Sequence, residues 1–280
     1  MSAAVSTRPA GIPETAQVRF RHVLRAELVK LTSLRSTIGL LATIVVAGLG
    51  SSLALALTME SAGLPSGPSP TFTLWTVSFG VVFFGQLVAA VLGVLAMSGE
   101  YSSGTIQSAL VAVPNRLLVL AAKTVAVFTL VTTAGLVTTF GSWLLAYPFF
   151  DSFGLATGLD APGFALALIG AAAYIGLTAV FALGVSTVLR SAAGGIATVF
   201  GVLLLVPMAL SIVGGSSELV AGIWPYLLSN AGEAMGKIAE PVPGDGSVAL
   251  LGPLAATLTV LGWTVVSLGI GALALRRRDA

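Results

Sequence analysis

The sequence predicts an all-α membrane protein: six transmembrane helices, preceded by an amphipathic helix at the cytoplasmic interface, with both termini cytoplasmic. Three observations lead there. Charged residues make up only 9% of the chain, against about 25% in soluble domains. The mean hydropathy is +1.01. Apolar residues also gather into six runs, each long enough to cross a hydrocarbon core of about 30 Å at ~1.5 Å per residue.

Residues 1–16 are small and polar with Pro9 and Pro13, and such a stretch lacks the apolar area to offset the entropy of ordering. A disordered cytoplasmic tail is expected there. Over 17–36 the pattern changes. Phe20, Val23, Leu24, Leu28, Leu31 and Leu34 recur at helical spacing, while Arg19, Arg21, Arg25 and Lys30 lie off that stripe, the signature of a helix lying in the interface. Glu27 breaks the pattern: at about 100° per residue it projects from the middle of the apolar face. An ionised carboxylate there needs a partner. Lys30 at i+3, or a basic group on a neighbouring element such as Arg116, would supply one.

The six spans are read as 37–58, 72–97, 117–146, 164–189, 192–213 and 248–275, together a membrane domain over 37–275. Only Arg190 and Ser191 separate the fourth from the fifth, and they mark a tight turn at the interface. On the second span Phe72, Trp75, Phe79, Phe83 and Gln86 fall within an arc of about 80°, an aromatic stripe ending in an amide. This is either a packing face or a wall of a substrate path, with Trp75, Phe79, Phe83 and Gln86 as its candidate residues. The fourth span carries Gly170, Gly176 and Gly184, small residues that permit close helix approach. Pro207 is expected to kink the fifth span or free one of its carbonyls. The loop 214–247 mixes apolar residues with Trp224, Pro225 and Tyr226, which points to short helices at, or dipping into, the outer interface. A basic cytoplasmic tail, 276–280, closes the chain.

Charge mapping orients the spans. With both termini inside, twelve of the thirteen basic residues fall on the cytoplasmic side and only Lys237 lies outside, as the positive-inside rule requires. The polar, glycine-punctuated segment 98–116, continuing to Lys123, is then cytoplasmic, and the second span is long enough to project it toward a partner.

Several chemistries are disfavoured. Gly232 to Ile238 superficially resembles a phosphate-binding loop, but its two glycines have three residues between them instead of four, and Ile238 replaces the metal-binding hydroxyl. His22 is the single histidine and there is no cysteine, so no second His or Cys completes a metal site, and with His22 expected inside and Asp151 and Asp160 outside no Ser/His/Asp triad is expected on one face. His22 is read as a headgroup contact. No acid, lysine, arginine or histidine lies mid-span, where an ion-driven carrier would need one. No catalytic residue, metal, cofactor or nucleic-acid partner is expected. If the chain pumps anything, its energy comes from another subunit.

Three segments resemble the permease subunits of ATP-binding-cassette exporters of the second type. Glu27-Leu28-Val29-Lys30-Leu31 with Arg35 is similar to that family's elbow helix. Gly99, Glu100, Gly104, Thr105, Leu110, Pro114, Arg116 and Lys123 resemble its cytoplasmic coupling segment. Tyr226 to Gly232 resembles a stretch before its last span, with Leu228 where proline is commoner. The resemblance implies a transport permease in the cell membrane that is not itself an enzyme. Two such permeases, identical or related, would assemble among membrane lipids with two cytoplasmic ATPase subunits. Gly99, Glu100, Gly104, Thr105, Pro114 and Arg116 would form the ATPase-coupling segment, and Glu27, Lys30 and Arg35 would belong to the elbow. A non-transporting scaffold or sensor is the alternative from another class, and an ion-gradient-driven carrier is third.

Overall fold

The computed structural model describes residues 19–62, 67–105, 115–213, 218–238 and 251–277. Among them every regular element is helical, and six helices are long and apolar enough to cross a membrane. The tail 1–16, Pro114 and the whole stretch 239–250 lie outside the described residues.

The first helix, α1 (Phe20–Ser33), buries Val23, Glu27 and Leu31 along one stripe at i, i+4 and i+8. A single extended residue, Leu34, separates it from the first span, α2 (Arg35–Ala62). The second span, α3 (Pro70–Ser103), starts where Ser69 accepts a hydrogen bond from the Phe72 amide and Pro70 takes the first turn, where its missing N–H costs nothing. The third, α4 (Arg116–Ser152), is capped by Asn115, whose side chain accepts from the Leu118 amide. The fourth is α5 (Phe164–Leu189). Arg190 in the left-handed region (φ 53°) and Ser191, which caps the next helix, form the tight turn into α6 (Ala192–Ile212). Two short helices follow, α7 (Glu218–Ile223) and α8 (Leu228–Met235), before the last span, α9 (Pro253–Arg277).

The helices outrun the apolar segments that announce them. At 34 and 37 residues, α3 and α4 reach about 50 Å and 55 Å, well beyond a hydrocarbon core. The expected 72–97 and 117–146 follow the limits of the apolar runs, which the helices outrun, because polar residues such as Ser98 to Ser103 can continue an α-helix. What stops α3 is Gly104 at φ 69°, a conformation costly for any residue with a Cβ. Gly99, by contrast, lies inside the helix, where an added Cβ would meet nothing within 4 Å. Of these two glycines, Gly104 makes the turn. The last span begins at Pro253, later than 248.

The fourth span, α5, is the hub: 72% of its most apolar stretch is buried, against 22% for α2 and 17% for α6. Glycines let its neighbours close in. A Cβ on Gly93 of α3 would lie 2.0 Å from the Ala179 carbonyl oxygen of α5, and Gly184 packs in the same way against Ser267 of α9. The Ser267 hydroxyl donates to the Phe181 carbonyl at 2.7 Å, so small and hydroxylated residues together seal this contact. Where α3 crosses α2, Gly80 abuts the Gly48 backbone.

Two π-helical turns interrupt the spans, at Val81–Gly85 in α3 and Gly201–Leu205 in α6. The second has a covalent cause. Pro207 has no N–H to bond the Leu203 carbonyl and its ring crowds that group, and the Val206 amide reaches back five residues to Gly201 instead. The first turn adds one residue to α3 and so rotates everything after it by about 100°.

Residues 224–238, between α6 and α9, fold back into the bundle. Gly232 of α8 sits on the ring of Tyr174, and a Cβ there would overlap it. Tyr174 lies ten residues into α5, about 15 Å below its start. The Asn230 amide donates to the Trp224 carbonyl at 2.8 Å and the Trp263 indole to the Tyr226 carbonyl at 3.0 Å. The chain dips toward the bundle middle before returning.

Candidate functional site

At the end of the bundle where α1 lies, two acids and two bases from three helices meet, three of the four out of water. Glu27 and Lys30 come from α1, Glu100 from the last turn of α3 and Lys123 from the second turn of α4. The Lys123 ammonium, 1% exposed, donates to Glu27 Oε2 at 2.6 Å and to Glu100 Oε1 at 2.5 Å. Lys30 donates to the same Glu100 oxygen. The order Glu27–Lys123–Glu100–Lys30 alternates in sign and sums to zero, which is how a low-dielectric site can hold four charges. Lys30 alone is substantially exposed, at 38% of its side chain.

Local sequence explains the convergence. Glu27 takes the central position of a buried i, i+4, i+8 stripe between Val23 and Leu31, so α1 cannot bury its apolar face without burying the carboxylate. Lys123 sits between the buried Ala122 and Ala126, small residues that leave room for α1 against α4. Glu100 follows the buried Ser98 on α3. The cluster is the only point where α1, α3 and α4 are all joined by ion pairs among the described residues.

Of the residues expected on the coupling segment, Glu100 is buried in the cluster rather than presented to solvent. Gly99, Gly104 and Thr105 are exposed, and the Ser103 hydroxyl bonds both the Gly99 carbonyl at 2.7 Å and the Thr105 hydroxyl at 2.9 Å. Pro114 is not among the described residues. Arg116 does not meet Glu27. Its guanidinium donates to the Leu275 carbonyl at 3.1 Å, tying the start of α4 to the end of α9. Arg35 is exposed at the first turn of α2. Glu27 takes Lys123 instead of Lys30 at i+3, because the buried stripe turns its carboxylate toward α4 while Lys30 lies toward α3.

Beside the cluster, the Arg190 guanidinium lies 5.0 Å from the centre of the Tyr101 ring, which holds the α5–α6 turn against the end of α3. With Arg276 and Arg277 closing α9, this end of the bundle collects Arg19, Arg21, Arg25, Arg35, Arg116 and Arg190. Lys237, paired with Glu233 at 2.6 Å, Asp151 and Asp160 belong to the opposite end.

The aromatic stripe is continuous but does not end in the amide. Rings pack from Phe72 to Trp75 (6.5 Å), Trp75 to Phe79 (5.7 Å) and Phe79 to Phe83 (5.4 Å, nearly parallel), and Phe84 stands edge-on to Phe83 at 5.1 Å. Trp75, Phe83 and Phe84 are exposed. The π-helical turn then carries Gln86 off this face and into the interior, where it is 5% exposed and accepts a hydrogen bond from the fully buried Tyr174 hydroxyl. The uniform 100° step that joined Gln86 to the stripe fails at the inserted residue. Phe84 takes its place on the outer face.

Sequence reasoning named Lys123 only within the wider segment and passed over Tyr174. Both left a trace. Lys123 is a lysine seven residues into an apolar run, and Tyr174 is a phenol in the most deeply buried span, where its hydroxyl needs a partner.

No group of three or more His, Cys, Asp or Glu side chains suited to a metal ion occurs among the described residues. The fold defines a multi-pass membrane protein of six spans. A scan against protein-family models and a search of curated proteins each find no match.

Proposed function

We propose that this chain is the membrane-embedded permease subunit of an ATP-driven exporter, acting with separate ATPase subunits and a second permease copy in the cell membrane. The single observation that supports the reading most is the ion cluster. It fastens the interfacial helix and the facing ends of α3 and α4 into one unit beside the exposed Gly104 turn. A force applied at that turn by a cytoplasmic partner would be passed to two spans and α1 together instead of dissipating in a loose loop. In this reading Glu100 is a positioning residue that acts through Lys123 and Lys30, while Thr105 and its neighbours meet the partner.

Two further observations favour it. The basic residues collect at the α1 end, which the positive-inside rule makes cytoplasmic, where ATP is. The acidic and basic side chains buried among the described residues, Glu27, Glu100 and Lys123, are paired with one another at that same end. The aromatic face of α3 would line the path or meet the second copy. ATP drives such a cycle only if the partner binds two states of the permease with different affinity.

Affinity purification of the full chain from its own membranes, followed by an ATP-hydrolysis assay, tests this. The expected result is an ATPase subunit held in fixed stoichiometry, whose activity falls when Gly104 is replaced by a bulky residue. Recovery of the chain without any ATPase would leave the scaffold or sensor reading in its place.

A further inference from the structure

Burial of Glu27 has an effect on the other side of α1. The helix has one acid, and the cluster consumes it, so no carboxylate remains on the outward face. Arg21, His22 and Arg25 are exposed there, with Arg19 just ahead of the helix and Arg35 just beyond it. His22, Arg25 and Lys30 border a shallow concavity of about 500 Å³ whose floor is Ala26 and Val29. Val29 is 60% exposed, an apolar side chain set between cationic neighbours.

A cationic rim over an apolar floor, on a helix that abuts the first turn of a membrane span, matches one kind of molecule. We propose that this face of α1 is a binding site for an anionic glycerophospholipid of the leaflet that α1 borders. Its phosphate is held by Arg25 and His22 with Arg21 alongside, and its glycerol and upper acyl carbons lie on Ala26 and Val29. Charge complementarity selects the headgroup, since no exposed acid on α1 opposes it. The guanidinium of Arg25 suits a phosphate because it offers paired donors. The exposed valine separates a lipid from a free anion, because a phosphate ion has no use for it. The site does not depend on the chain being an exporter.

Native mass spectrometry of the purified full chain, titrated with phosphatidylglycerol or phosphatidylcholine, tests the proposal. Wild type should retain phosphatidylglycerol in clear preference. Each basic residue near an anionic surface contributes enough that the Arg21→Gln/Arg25→Gln double variant should lose about thirtyfold in that preference. Arg276→Gln/Arg277→Gln, which removes the same charge from the end of α9, should change it by less than about threefold. On wild type alone, added salt should abolish the preference, since the rim is exposed to screening. Equal retention of the two lipids, an equal loss in the α9 variant, or displacement of the lipid by inorganic phosphate beyond that caused by ammonium acetate of equal ionic strength would each overturn the assignment.

Discussion

Replacing Lys123 by methionine removes the central cation of the cluster while keeping the length of its side chain. Two carboxylates, Glu27 and Glu100, are then left with Lys30 alone, and Lys30 is bonded to Glu100. Glu27 keeps its place in the buried stripe of α1 without its ion-pair partner. Exposed ion pairs are worth only about 0–1 kcal/mol, but the side chains here are 1% exposed for Lys123, 8% for Glu27 and 6% for Glu100. The value for orphaning a buried charge therefore applies, about 3–5 kcal/mol. Glu27→Leu is gentler, about 1–3 kcal/mol, because Lys123 retains Glu100. The double variant Glu27→Leu/Lys123→Met removes one charge of each sign, leaves Glu100 and Lys30 balanced, and should return to within about 1 kcal/mol of wild type. Unfolding of the full chain in mixed micelles, followed by tryptophan fluorescence, measures all four corners of the cycle. A coupling of at least ~2 kcal/mol is expected. Additivity to within about 0.5 kcal/mol would refute it, since the two groups would then not be sensing each other.

The glycines of α3 should behave in three different ways in the same unfolding assay. Gly93→Ala drives a Cβ into the Ala179 carbonyl and should cost about 1–3 kcal/mol. Gly104→Ala, at φ 69°, should cost about 1–2 kcal/mol. Gly99→Ala, in an open helical position, should be neutral or stabilising by about 0.5–1 kcal/mol; a loss there would mean that the helix does not pass through Gly99. Gln86→Leu leaves the buried Tyr174 hydroxyl without its acceptor and should cost about 1–3 kcal/mol, most of it recovered when Tyr174→Phe is added. Failure of that second change to rescue would place the two side chains apart. Phe79→Ala and Phe83→Ala should shift the relative transport of different substrates by the reconstituted complex more than they lower expression. Uniform transport of every substrate would reduce the stripe to a packing face.

How much of this was legible in the sequence depended on whether a feature was set by pattern or by tertiary contact. Six apolar runs, the amphipathic helix before them and the turn at Arg190 follow from hydropathy and spacing, and the described residues contain them. The glycines of the fourth span announced close packing, and each meets a different neighbour: Gly170 the backbone of Met235, Gly176 the side chain of Thr132 and Gly184 that of Ser267. Glu27 advertised a partner because a carboxylate on an apolar face cannot go unpaired, yet the choice of Lys123 over Arg116 lies in how α1 rests on α4, which no linear pattern records. Gln86 was misplaced for a sharper reason. A periodic argument assumes a constant step, and one inserted residue at Val81–Gly85 shifts every later phase. In α6 the proline at 207 signals such a break, whereas α3 carries no proline near its own. Helix ends were hidden where hydropathy and helicity part company, as at Ser103, where only the glycine that follows shows the stop.

Under the proposed function, the Gly104 turn at the clamped end of α3 meets an ATPase on the cytoplasmic side. A photoreactive amino acid placed at Thr105, which is exposed beside that turn, tests it in intact membranes. A matching probe at Leu219 on α7, at the far end of the bundle, serves as control. The expected result is a crosslink from position 105 to an ATP-binding subunit, strengthened or weakened by nucleotide, and none from position 219. No such adduct from 105, or the same adduct from 219, would contradict it.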